Sequence, residues 1–194
     1  MSLKVLACSG SSRAESFNRK LLALAAHGAR EAGAEVTVIR LADFDLPFYD
    51  GDLEAAQGLP ANALRLQQMV REHDALLIAS PEYNGGYTAL LKNTLDWISR
   101  PQPDGRSGVA LFSGKAAAVI SASPGNLGGV RSQIGIRTVL EKLGLLVIPE
   151  SFALAAAHQA FDADGRPKDA NVERLVRAVG ASLARTAARL ESTD

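Results

Sequence analysis

The 194-residue chain is 47% hydrophobic and carries 21 basic against 21 acidic residues, a formal charge of zero. That size supports one domain over residues 1–194, and the balanced charge leaves no basic excess for nucleic acid or an anionic membrane. A single cysteine, Cys8, excludes an internal disulfide framework and a cysteine-based zinc site, and no apolar run is long enough for a signal peptide or a bilayer span, so a cytoplasmic protein is expected.

"LKVLAC" opens the chain as a short buried strand. "RKLLALAAHGAREAG" follows with Leu21, Leu22, Ala25, Ala26 and Ala29 at helical spacing, closed by Gly33. "EVTVIRL" is β-branched and predicts the second strand. "LPANALRLQQMVREHD" predicts a helix with Pro60 in its first turn. "ALLIAS" (Ala75–Ser80) is the third strand and "TALLKNTLDWIS" an amphipathic helix. "KAAAVISAS", "GVRSQIGIRTVLEKLG" and "LLVIPE" predict strand, helix and a fifth strand. The last helix places Val172, Leu175, Val176, Val179, Leu183, Ala187 and Leu190 on one face. Strands and helices alternate throughout, and the strands are continuously apolar, which marks a parallel sheet covered on both faces. Five strands predict an α/β three-layer sandwich of flavodoxin-like order 2-1-3-4-5, rather than the six-stranded dinucleotide order.

In such a sheet ligands bind beyond the carboxyl ends of the strands, where the strand order reverses. Three polar loops meet there: "SGSSRAESFN", "PEYNGGYT" and "SPGNLGG". The first has the parts of a phosphate cradle. Gly10 permits a tight turn, Ser11, Ser12 and Ser16 offer hydroxyls, Arg13 offers a permanently charged donor, and the following helix offers unpaired amides. The bland alternative is a Ser16 that merely caps its helix beside a solvated Arg13. In the second loop, Pro81 fixes one torsion and Asn84-Gly85-Gly86 permits positive φ, so backbone groups are presented in fixed directions to a flat heteroaromatic ring. Tyr83 suits either packing beside that ring or a partly buried structural role.

Two other phosphate chemistries fail on spacing. The Gly114–Lys115 pair is followed by Ala116, which is not a Walker motif. A low-molecular-weight tyrosine phosphatase would need its nucleophilic cysteine where Ala7 stands. Cys8 therefore reads as a small buried hydrophobe.

"GSSRAESFN", "SPEYNGGYTALLKNTLDWISRP" and "SASPGNLGGVRSQ" together resemble the NAD(P)H-dependent FMN reductases, a flavodoxin-like family of flavin, quinone, azo-dye and chromate reductases. The resemblance covers nearly the whole chain. It implies that Ser11, Arg13, Ser16 and Asn18 hold the FMN phosphate, that Pro81, Glu82, Tyr83, Asn84 and Gly85 border the isoalloxazine through backbone groups, and that Ser121, Ser123 and Gly125 approach from the third loop. Gly86 departs from the serine that often follows this motif in the family. NADPH or NADH is the implied co-substrate, a small molecule the acceptor, and a homodimer or homotetramer the implied assembly.

Flavin carries its own redox chemistry, so no catalytic acid or base is named. His27, His73 and His158 are scattered along the chain. An FMN-binding electron carrier of flavodoxin type is the alternative, but such carriers are acidic and shield the ring with aromatics. This chain is neutral with 5% aromatic residues, which favours the enzyme. The family resemblance makes Arg100 and Arg106, in the long connection Ser99–Lys115, candidates for a nicotinamide phosphate.

Overall fold

The apolar runs form a parallel sheet in the computed structural model, which describes residues 2–191. β1 (Lys4–Ser9), β2 (Glu35–Arg40), β3 (Ala75–Ala79), β4 (Ala116–Ala122) and β5 (Leu146–Val147) take the order β2-β1-β3-β4-β5. This is the flavodoxin-like order expected from the sequence. Its reversal point falls between β1 and β3, which pair in register from Val5 beside Ala75 to Ser9 beside Ala79.

Because strand side chains alternate, the central strands feed two separate cores. Val5, Ala7, Leu77, Ala79, Ala118 and Ile120 pack toward α1 (Phe17–Glu31) and α6 (Ala170–Glu191). Leu6, Leu76, Ile78, Ala117 and Val119 pack toward α3 (Ala61–Arg71), α4 (Ala89–Ile98) and α5 (Val130–Lys142). Burial on both faces is why these strands read as unbroken apolar runs.

The α1–α6 pair depends on two glycines. A Cβ on Gly28 would overlap the Arg177 carbonyl, and one on Gly180 would overlap the Ala25 carbonyl. The two helices thus meet backbone to backbone, which fixes α1 and the loop that precedes it.

Three features differ from the sequence reading. The fifth strand is broken: Ile148–Ser151 lie opposite only Ala118 and Val119, and pairing with β4 resumes as β6 (Phe152–Leu154). Pro149 lacks the N–H a continuous ladder needs. A short helix, α2 (Gly51–Gln57), stands where none was expected, capped by Asp50 through the amides of Asp52 and Leu53. On α6, Leu175 stays 36% exposed beside the buried stripe that contains Val176, Val179, Leu183 and Ala187.

Gly180→Ala tests the helix contact by sign. At a solvent-facing helix position this change stabilises by about 1 kcal/mol. Here it should lower the unfolding free energy by about 1–3 kcal/mol, read from the urea midpoint; a rise would contradict the contact.

Candidate functional site

The carboxyl ends of β1, β3 and β4 open onto one recess lined by Ser11, Arg13, Ser16, Phe17, Asn18, Pro81, Glu82, Tyr83, Ala122, Ser123 and Pro124. Three segments far apart in sequence therefore converge as the strand order requires.

The first loop is held at its base. The Gly10 amide donates to the Ala79 carbonyl at 2.9 Å, and Thr88 Oγ1 donates to the Gly10 carbonyl at 2.7 Å. Gly10 is needed for that approach rather than for a left-handed turn: its Cβ would sit 2.9 Å from Thr88 Oγ1, and its φ is not positive. Ser9 Oγ accepts from the Ser11 amide at 3.2 Å, and Ser11 Oγ accepts from the Arg13 amide at 3.4 Å. The exposed Arg13 guanidinium has no partner among the described residues.

Ser16 is the N-cap of α1, yet its side chain makes no capping hydrogen bond, although it is only 4% exposed. Thr88 and Asp50 occupy the same position on α4 and α2 and do cap their helices. The first turn of α1 therefore keeps amides unpaired by side chains, at the positive end of a 15-residue helix dipole. Asn18 serves a different purpose. Its Nδ2 donates to the Ala122 carbonyl at 2.8 Å and its Oδ1 accepts from the Ala122 amide at 2.9 Å, tying α1 to the end of β4.

In the second loop, Tyr83 and Gly86 exchange backbone hydrogen bonds of 2.9 and 3.0 Å across Asn84 (φ 52°) and Gly85 (φ 80°). Two consecutive positive φ values are the mark of a type I′ turn, for which Asn-Gly is the favoured pair. Gly86 itself has ordinary φ and open space around its Cβ position, so its departure from serine leaves the backbone unaltered.

Consecutive residues of α5 hold the loops in place. The Arg131 amide and guanidinium bind the Glu82 carboxylate, with Nε at 2.8 Å. Ser132 Oγ lies 2.6 Å from Ser80 Oγ and donates to the Pro81 carbonyl at 2.9 Å. Gln133 Nε2 donates to Ser121 Oγ at 2.7 Å and to the Phe152 carbonyl at 2.8 Å. The hydrogen bonds from Arg131 hold the Glu82 carboxyl below the ordinary glutamate range.

Ser121, Asn84, Gly85 and Gly125 are expected site residues that do not line the recess. Ser121 is fully buried, and its hydroxyl donates to the Gly128 carbonyl at 2.7 Å. Asn84 and Gly85 form the turn beside the recess. The Gly125 amide donates to Ser123 Oγ at 3.2 Å, shaping the third loop. The sequence reading missed Ser132 and β6; the Ser123 amide donates to the Leu154 carbonyl of β6 at 3.0 Å.

Arg100 and Arg106 do not reach the recess of their own chain. They lie between the end of α4 and the start of β4, at the opposite rim of the sheet, where Arg100 Nε binds Glu54 at 2.8 Å and Arg106 binds Asp104. The histidines are elsewhere too: His27 pairs with Glu31, buried His73 bonds the Met69 carbonyl, and His158 bonds Gln159. Among the described residues no group of three His, Cys, Asp or Glu is placed to hold a metal, and no helix is long and apolar enough to cross a membrane.

The order, the three loops and the turn at Asn84–Gly85 match a known pattern. The model of the NADPH-dependent FMN reductase family matches residues 3–159. The chain belongs to this family. It is 39% identical to NAD(P)H-dependent FMN reductase PA1204 of Pseudomonas aeruginosa over 90% of each chain. It is 36% identical to an NAD(P)H:quinone oxidoreductase of Solanum tuberosum, covering 97% of this chain and 95% of that one. Its structure is similar to that of FerB, a flavoenzyme NAD(P)H:(acceptor) oxidoreductase from Paracoccus denitrificans, with a TM-score of 0.78, 29% identity, and coverage of 96% and 98%. The chain carries the flavodoxin-like scaffold of this family.

Cys8 is only partly buried, but desolvation pushes its thiol up to about 12, so it stays protonated through neutral pH. A thiol reagent such as iodoacetamide should therefore label Cys8 at pH 8 far more slowly in the folded chain than after unfolding. Equal labelling rates in the two states would contradict this raised pKa.

Proposed function

We propose that the chain is an FMN-dependent NAD(P)H oxidoreductase that passes reducing equivalents to small acceptors such as quinones, free flavin, azo compounds or chromate. The observation that carries this reading is the N-terminus of α1, where a nearly buried Ser16 leaves its own helix uncapped beside the unpartnered Arg13. Such a site is built for a monophosphate, which accepts several N–H and O–H donors at once and is drawn by the helix dipole.

In this reading the FMN phosphate is held by Ser11, Arg13 and Ser16, with the first amides of α1. Asn18 acts as the brace that keeps α1 against β4. Pro81, Glu82, Tyr83, Asn84 and Gly85 border the isoalloxazine. The type I′ turn uses the Tyr83 amide and carbonyl internally, so the amides of Glu82, Asn84 and Gly85 remain available to a flat acceptor edge. Ser123 and Gly125 close the third side, while Ser121 holds that loop from within. Once bound, FMN supplies the hydride-accepting and hydride-donating chemistry, and the protein supplies orientation and access.

The half-exposed Tyr83 and the shallow recess favour an open flavin face, as two successive small substrates require. The exposed Leu127, Val130 and Ile134 at the start of α5 suit a homodimer or homotetramer, and a cytoplasmic location suits a consumer of reduced nicotinamide.

The purified protein should be yellow, or become so with FMN, and should bleach anaerobically with NADPH or NADH. A protein that gains no flavin absorbance overturns the reading. Arg13→Ala removes a charge-assisted hydrogen bond and should weaken FMN binding by about 1.5–3 kcal/mol, roughly tenfold to a hundredfold. Unchanged affinity by flavin-fluorescence titration would place the phosphate elsewhere.

A further inference from the structure

Ser16 faces two openings. It lines the recess, and it lines a groove that runs from there between α1 and the outer strand β2. Its side chain is 4% exposed and makes no capping hydrogen bond, and no polar atom among the described residues pairs with its hydroxyl. A buried hydroxyl without a partner is costly until water or a ligand takes it. Beyond Ser16 the groove is lined by Arg19, Lys20, Arg30 and Arg40 against one acid, Glu15, in a chain whose formal charge is zero. Among the described residues none of these four cations has a carboxylate within hydrogen-bond distance. Arg19 and Arg30 donate to the carbonyls of Ala14 and Val36, and the Lys20–Glu15 and Arg40–Asp43 pairs are both 3.7 Å apart.

The floor of the groove is apolar, with Val38 50% exposed beside Ala23. Basic walls over an apolar floor suit a nucleotide, whose phosphate takes guanidinium donors and whose flat base covers apolar surface. From Ser16 to Arg30 the helix runs about 21 Å, room for one nucleotide. β2 lies on the side of β1 away from β3, so the groove leads away from residues 81–85, the ring border in the flavin reading. A nicotinamide must meet that ring, whereas a group joined to the FMN phosphate would start at Ser16. Building on the flavin reading above, we infer that the site takes a flavin dinucleotide, FAD, as well as FMN. Its second phosphate is held by Arg19 and Arg40, and its adenine lies over Val38 beside Arg30.

Fluorescence titrations of the flavin-free protein with FMN and with FAD test the groove. Wild-type protein should bind both. The double variant Arg30→Ala, Arg40→Ala should weaken FAD at least fivefold while FMN changes by less than twofold. Both substitutions sit on the surface, away from the recess and the core. A second measurement needs no variant: added salt should weaken FAD more steeply than FMN, because more cations meet the larger anion.

The FMN titration separates the two levels of argument. Wild-type protein that binds neither flavin would overturn the function. FMN bound with FAD excluded would overturn the groove alone. FAD affinity that ignores the double variant, or equal weakening of both flavins, would also overturn it. A raised KM for NADPH and NADH in the double variant, with FAD affinity unchanged, would give the groove to the nicotinamide dinucleotide and overturn its assignment to FAD.

Discussion

The site depends on a helix that does not cap itself. At the start of α1 the amides are left unpaired by side chains, although Ser16 sits at the cap position and is nearly buried. An unsatisfied helix end near the surface is costly unless water or a ligand serves it. Thr88 and Asp50 cap α4 and α2 through their side chains, whereas Ser16, a residue equally able to cap, does not. The proposed phosphate site therefore rests on a local interaction the protein omits.

Everything else on the rim works to hold that end still. Gly28 and Gly180 bring α1 and α6 into backbone contact from behind. Asn18 fastens α1 to the last residue of β4. Arg131 and Ser132 then reach from α5 to the second loop, and Gln133 reaches to Ser121 of β4 and to β6. The second loop is thereby stiffened by hydrogen bonds rather than by bulky side chains.

Much of this was legible in the sequence, because each signal was local. Continuous apolar runs at Leu6–Cys8, Leu76–Ala79 and Ala117–Ile120 gave strands buried on two faces, and the Asn84–Gly85 pair gave its turn. The roles of Asn18 and Ser121 were not legible, since both act through partners distant in sequence or hidden in the core, and a polar residue in a loop looks the same whether it faces ligand or backbone. The break at Pro149 had a visible cause, but the resumption at Phe152 depends on free pairing groups at the end of β4. Asp50 was a readable cap for α2, masked by the glycine that follows it. The positions of Arg100 and Arg106 are set by where α4 ends, and a loop charge carries no record of which rim it occupies.

The most direct measurement is a crystal structure of the chain with FMN bound. The account predicts the phosphate within about 3 Å of Ser16 Oγ and the first amides of α1, with Arg13 closing over it and the ring edge along residues 82–85. A phosphate lodged at the opposite rim, or a Ser16 hydroxyl turned back to cap its own helix while flavin is bound elsewhere, would contradict it.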